Sequence, residues 1–140
     1  MADKNISSLT AAATELDGTE KVHIVEGANS RRTTTRNIAA IGAAISTQAG
    51  TTYATVAGDQ GTWVRLTNAS PVTVTISDAT HAAGDEITFE QAGAGAVTFA
   101  AGGALVLNSR GSRLTTNGQY AVASVKFISA SVAILVGDLV

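Results

Sequence analysis

From Gly50 to the end, apolar residues in this sequence recur at every second position, in short runs separated by glycine-rich turns. TWVRLTN (62–68) sets Val64 and Leu66 on one face. PVTVTIS (71–77) sets Val72, Val74 and Ile76 inward and Thr73 and Thr75 outward. GDEITFEQ (84–91) turns Ile87 and Phe89 in and Thr88 and Glu90 out, and AVTFA (96–100) does the same with Val97 and Phe99. A period of two is the signature of half-buried strands, and short strands following one another every ~8–12 residues form sandwiches or barrels. The pattern predicts an all-β domain of about eight strands, a β-sandwich with jelly-roll-like topology.

Further strands are predicted around Leu105 and Leu107, at SRLTT (112–116), and in two long closing runs, QYAVASVKFI (119–128) and SVAILVGDL (131–139). In the last run Val132, Ile134 and Val136 are expected to face inward. The parity slip between Val122 and Val125 points to a bulge near Ala123-Ser124. No long internal repeat is visible. GAGAV and GGALV are alike only as glycine-bounded strand starts.

Before Gly50 the chain reads differently. Ser7 or Ser8 can cap a short helix over 7–16, with Ile6, Leu9, Ala13 and Leu16 on one stripe, ended by Asp17-Gly18. A hairpin follows: KVHIVE (21–26), a GANS turn (27–30) and RRTTTRNI (31–38). Asn37 can cap a second helix, with Ile38, Ile41 and Ile45 as its stripe. The division expected is an N-terminal arm over 1–49 and a sandwich over 50–140.

Composition narrows the function classes. Only 14% of residues are charged, against ~25% in an ordinary domain, as suits a subunit that covers much of its surface in an assembly. The net charge of -2, with no strongly basic half, disfavours binding nucleic acid through its phosphates. No run approaches the ~18 apolar residues of a membrane span, and MADKNISS lacks the apolar core of a signal peptide. There is no cysteine, which removes disulfides and thiolate metal sites and fits assembly in a reducing cytoplasm.

Catalytic constellations are scarce. Asp78, His81 and Asp85 are the one grouping that could hold a base or a metal, and they read better as a polar loop between strands. His23 reads as a lone surface histidine. GAGAVTFAAGG (93–103) resembles a phosphate loop in composition, but such loops must lead into a helix, and here the glycines lead into another strand. The expectation is no enzyme, no cofactor and no metal.

Two features suit binding instead. Trp63 is turned away from Val64 and Leu66, beside Arg65. It can be a cover beneath the N-terminal helices, an anchor for a partner, or a platform for a sugar ring. Arg31, Arg32 and Arg36 lie on a threonine-rich strand polar on both faces. Such a strand sits at an edge or lies along another protein, where the arginines can meet carboxylates.

The run ISSLTAAATELDGTEKVHIVEGANSRRTTTRNIAAI resembles a segment common in virion proteins of tailed phages: short helix, D-G-T-E turn, V-x-I-V strand, glycine turn, threonine-rich strand, small helix. The remainder, TWVRLTNASPVTVTI through VAILVGDL, resembles the small β-sandwich of phage capsid decoration (cement) proteins and of tail-fibre or baseplate proteins. The resemblance implies a non-enzymatic virion protein. As a short sandwich with an arm it is closest to a decoration protein. It would be made in the host cytoplasm, sit on the capsid exterior, bind the major capsid protein and self-associate, as a dimer by preference or as a trimer. The alternative implied is a tail-fibre or baseplate module that binds host surface glycan.

Overall fold

The computed structural model describes residues 21–26, 29–34 and 43–140. The chain forms two compact units, dividing between Gly42 and Ala43. In the first, β1 (Lys21–Glu26) pairs antiparallel with β2 (Asn29–Thr34). The ladder runs to Glu26 opposite Asn29, so the second strand of the expected hairpin starts before Arg31. The predicted helix over 7–16 lies outside the described residues. So does most of the predicted second helix, but its last stripe residue, Ile45, opens a strand.

The second unit is all-β, as the period of two predicts. Its strands are β3 (Ile45–Gln48), β4 (Thr52–Ala54), β5 (Trp63–Leu66), β6 (Val72–Ile76), β7 (Glu86–Gln91), β8 (Val97–Ala101), β9 (Val106–Ser109), β10 (Val122–Ser129) and β11 (Val132–Gly137). They form a six-stranded sheet, β3-β5-β7-β10-β11-β9, and a three-stranded sheet, β4-β6-β8. Val64, Leu66, Val72, Val74, Ile76, Ile87, Phe89, Val97 and Phe99 all face one shared core, as their parity requires. Phe89 and Phe99 meet edge to face across it, 5.3 Å between ring centres, a favoured aromatic geometry.

The topology is not that of a jelly roll, whose strands run antiparallel. From β3 to β8 the chain alternates between the two sheets, and every pairing among these strands is parallel. The result is a coil in which β3–β4, β5–β6 and β7–β8 are successive turns stacked one on the next. Parallel neighbours need a crossover, and the opposite sheet supplies it. The stacking fixes the composition of one corner. Gly93 and Gly95 donate their N–H groups to the carbonyls of Leu66 and Asn68 on the turn before. A Cβ on either glycine would run into that turn's backbone.

The first turn of the coil closes one end of the core with polar groups. Ser46 and Gln48, the partly buried residues of β3, bond to each other at 3.0 Å. The Tyr53 hydroxyl bonds to the Asp59 carboxylate at 2.8 Å. Burial, and then the bond to Asp59 and its charge, push the Tyr53 phenol well above its ordinary value. Beyond β7 the coil gives way to an antiparallel hairpin. β10 pairs with β7 and β11, while β9 returns parallel to β11 at the far edge. The predicted strand at 112–116 is reduced to isolated bridges, Thr98 with Thr115 and Thr116 with Leu139. A 3-10 turn, Arg110–Ser112, precedes them.

Two expectations about the closing hairpin are corrected. Ala133 and Leu135 are the buried residues of β11, whereas Ile134 and Val136 are 39% and 53% exposed. The register decides this by setting Val125 against Leu135 and Phe127 against Ala133. The large Phe127 leaves room for only a small neighbour, and Ala133 supplies it. The irregularity in β10 falls between Phe127 and Ser129, at Ile128. Ala123, Val125 and Phe127 alternate regularly, so there is no bulge at Ala123-Ser124.

Candidate functional site

The outer face of the large sheet carries the most distinctive side-chain arrangement. β5 presents Trp63 and Arg65 outward, and its parallel register with β7 sets Arg65 beside Glu90. One carboxylate oxygen, Glu90 Oε2, accepts from Trp63 Nε1 at 2.9 Å and from Arg65 Nε at 2.8 Å. The bond from Arg65 and then that from Trp63 hold the Glu90 carboxyl below its usual range, against the opposing effect of burial. The same pairing raises the Arg65 guanidinium further. A general acid or base works best with a pKa near the working pH. This carboxylate is tuned away from that and serves to fix an indole and a guanidinium in place.

Trp63, Arg65 and Glu90, with Ala43 and Ile45, line an open cleft of about 430 Å³. Ile45 is 71% exposed at its rim. An oriented aromatic ring, an apolar rim and a fixed ion pair suit recognition. Sequence parity places Trp63, Arg65 and Glu90 outward. It does not bring Ile45 to them, because that requires the strand β3 and its pairing with Trp63.

At the opposite edge of the same face, β9 and β11 expose Val106, Ile134 and Val136. Next to them a recess of about 230 Å³ is lined by Arg110, Arg113, Leu135, Val136, Gly137 and Leu139. Alternation alone hides this surface, because it places Ile134 and Val136 in the core. The signal available was the short run of both parities in SVAILVG, in which Ala133 and Leu135 also form an apolar row.

Arg31 and Arg32 lie in β2, opposite Ile24 and His23, and Arg36 lies outside the described residues. Asp78, His81 and Asp85 do not converge. Asp78 Oδ2 accepts from the Ala104 N–H at 3.1 Å, and Asp85 Oδ2 from the Ala82 N–H at 2.9 Å. His81, expected in a polar loop, is buried against Phe127 with 4.4 Å between ring centres. Among the described residues no three His, Cys, Asp or Glu side chains group to hold a metal ion, and no helix is long and apolar enough to cross a membrane. The glycines of 93–103 form the coil corner and lead into β8.

Comparison of the chain with protein-family models, with curated proteins and with solved structures finds no match.

Proposed function

We propose that this protein is a non-enzymatic structural component of a tailed-phage particle, a decoration protein that binds and cements the major capsid protein shell from outside. The observation behind this reading is the outer strip of β9 and β11. Val106, Ile134 and Val136 are exposed there, beside Arg110 and Arg113 at the neighbouring recess. Apolar side chains flanked by arginine are what protein interfaces favour, and a surface with so few charges has little to repel a close neighbour. The resemblance of the N-terminal segment to virion proteins supports the same reading. Arg31, Arg32 and Arg36 then act as an arm that meets capsid carboxylates. Contacts weak in one copy become strong when self-associated copies, dimers by preference and trimers otherwise, engage a repeating shell together.

The test is retention on purified capsids. Ile134→Glu with Val136→Glu, and separately Arg31, Arg32 and Arg36 to alanine, should each leave the circular dichroism unchanged and weaken decoration by tenfold or more. Unchanged decoration in both variants contradicts the proposal.

A second reading rests on the Trp63 cleft. The indole is held by Glu90 at the wall of an open cleft with Arg65 at hand, an arrangement suited to stacking a sugar ring in a tail-fibre or baseplate module that binds host glycan. Affinity for host surface polysaccharide that is lost in Trp63→Ala would favour this reading over decoration.

A further inference from the structure

The connection between β6 and β7 is fastened onto the end of the β10–β11 hairpin. The Ala79 N–H donates to the Ala130 carbonyl, the Gly84 N–H to the Phe127 carbonyl, and the Phe127 N–H to the Asp85 carbonyl. Lys126 Nζ donates to the Gly84 carbonyl at 2.7 Å. In the middle of this connection His81 is only 4% exposed, with its ring against Phe127. Neither ring nitrogen has a hydrogen-bonding protein partner among the described residues. A buried polar group normally finds one. A neutral imidazole pressed on a phenyl ring is tolerable there, whereas an imidazolium with two unmet donors is costly to bury.

We infer that His81 is an acid-sensitive latch: neutral, it packs the 77–85 connection onto the β10–β11 hairpin, and protonation releases that connection. The charged groups around the connection decide how far the latch is biased. The Asp85 carboxylate within it and Asp59 in the turn before β5 both favour the imidazolium. Burial opposes them and prevails, holding the imidazole below its ordinary value. Asp78 accepts from the Ala104 N–H through Oδ2, while its buried Oδ1 has no partner among the described residues. Lys126 donates to the Gly84 carbonyl and lies 3.5 Å from the Glu86 carboxylate, so its charge is met on the other side of the connection.

The open form binds the proton more readily than the closed one. Closure is therefore fully favoured above the ordinary histidine value, ~6.5, and weakens as pH falls from there toward the lower value of the packed ring. Within that interval the opening equilibrium should rise about tenfold per pH unit, the fold-change that proton linkage fixes. The remainder of the coil carries no such group and should stay closed.

The test uses the full chain. Histidine ring signals are followed by NMR between pH 8 and 4.5, with His23→Gln leaving His81 as the single histidine, alongside amide hydrogen-exchange protection factors. The expected result is a His81 midpoint below the ordinary histidine value, ~6.5. Protection of the Ala79, Gly84 and Phe127 amides should fall together over the same range, while Val64 and Val74 stay protected. His81→Leu should abolish the acid-dependent loss at those three amides. A midpoint at the ordinary value, or a titration that leaves those amides protected, overturns the latch. Should His81→Leu fail to fold, the measurements on the chain that retains His81 decide alone.

Discussion

Glu90 shows how one side chain can set the character of a surface. The chain has a single tryptophan, so its fluorescence reports on the bond from Trp63 Nε1 to Glu90 Oε2 without interference. The folded Glu90 carboxyl lies below its usual value. The contribution of its bonds is therefore complete above the unfolded glutamate value, ~4.3, and is lost as pH falls through the lower folded one. Trp63 emission should hold steady from pH 7 down to the ordinary glutamate value, ~4.3, and shift only as pH falls below it. Glu90→Gln should remove that acid shift, and a Glu90→Gln chain that keeps it would show that another group controls the indole. Adjacent residues of β11 offer a sharper energetic contrast. Leu135→Ala empties a packed site and should cost about 2–5 kcal/mol. Ile134→Ala changes an exposed position and should stay within about 0.5 kcal/mol, as read from denaturant midpoints. The reverse order would restore the parity that the sequence suggests. Local sequence does not settle that parity, because β11 is apolar on both faces and only its pairing with β10 tells them apart. Trp63, by contrast, was legible as an outward residue, because Val64 and Leu66 beside it leave no doubt which face is core. Its partner was not, since β7 meets β5 through a parallel pairing that local sequence does not announce.

Among elements, the positions of the central strands are readable in the sequence and their directions are not. The runs around Val64, Val74, Phe89 and Phe99 each became a strand close to its predicted bounds, because alternation with small β-branched residues is sufficient to make one. Alternation is the same for parallel and antiparallel neighbours, so a jelly roll and a two-sheet coil cannot be told apart from it. The better clue was the glycine spacing. Gly93 and Gly95 recur at the one corner where the coil passes closest over Asn68 and Ser70. Trp63 pairs with Thr88 and Val72 with Val97, at the same sequence offset in both sheets. The coil makes this corner intolerant: Gly95→Ala should destabilise by at least the ~1–3 kcal/mol typical of overpacking. Gly58→Ala is the control, since nothing lies within 4 Å of its added carbon, and it should be close to neutral. Equal stability of the two variants in thermal unfolding would mean that the turns are not stacked as described. The end of the coil at β3 and β4 was hidden for a different reason. Its inward residues Ser46 and Gln48 are polar, as befits a cap on a stack, and so the strand lacks the apolar row by which the others were found.

At the scale of the whole molecule, low charge and an apolar outer strip are what the proposed decoration role asks of a subunit that is covered by neighbours. The strip on β9 and β11, the recess at Arg110 and Arg113, and the cleft at Trp63 belong to the unit over 43–140. The arginines of the arm belong to the other unit, and two of them lie on a two-stranded ladder. If both regions meet partners, as the proposed function has it, they suit a cement, which must hold more than one neighbour to strengthen a shell, and repetition over the shell multiplies each contact. A glycan-binding module needs only the cleft. The measurement that separates these most directly is the location of the protein on intact particles by electron cryomicroscopy, with a gold-labelled antibody to confirm its identity. A decoration protein gives regularly spaced density on the outer surface of the head, in contact with the major capsid protein and absent from particles that lack this chain. Density on the tail or baseplate with bare heads, or none on the particle at all, would contradict it.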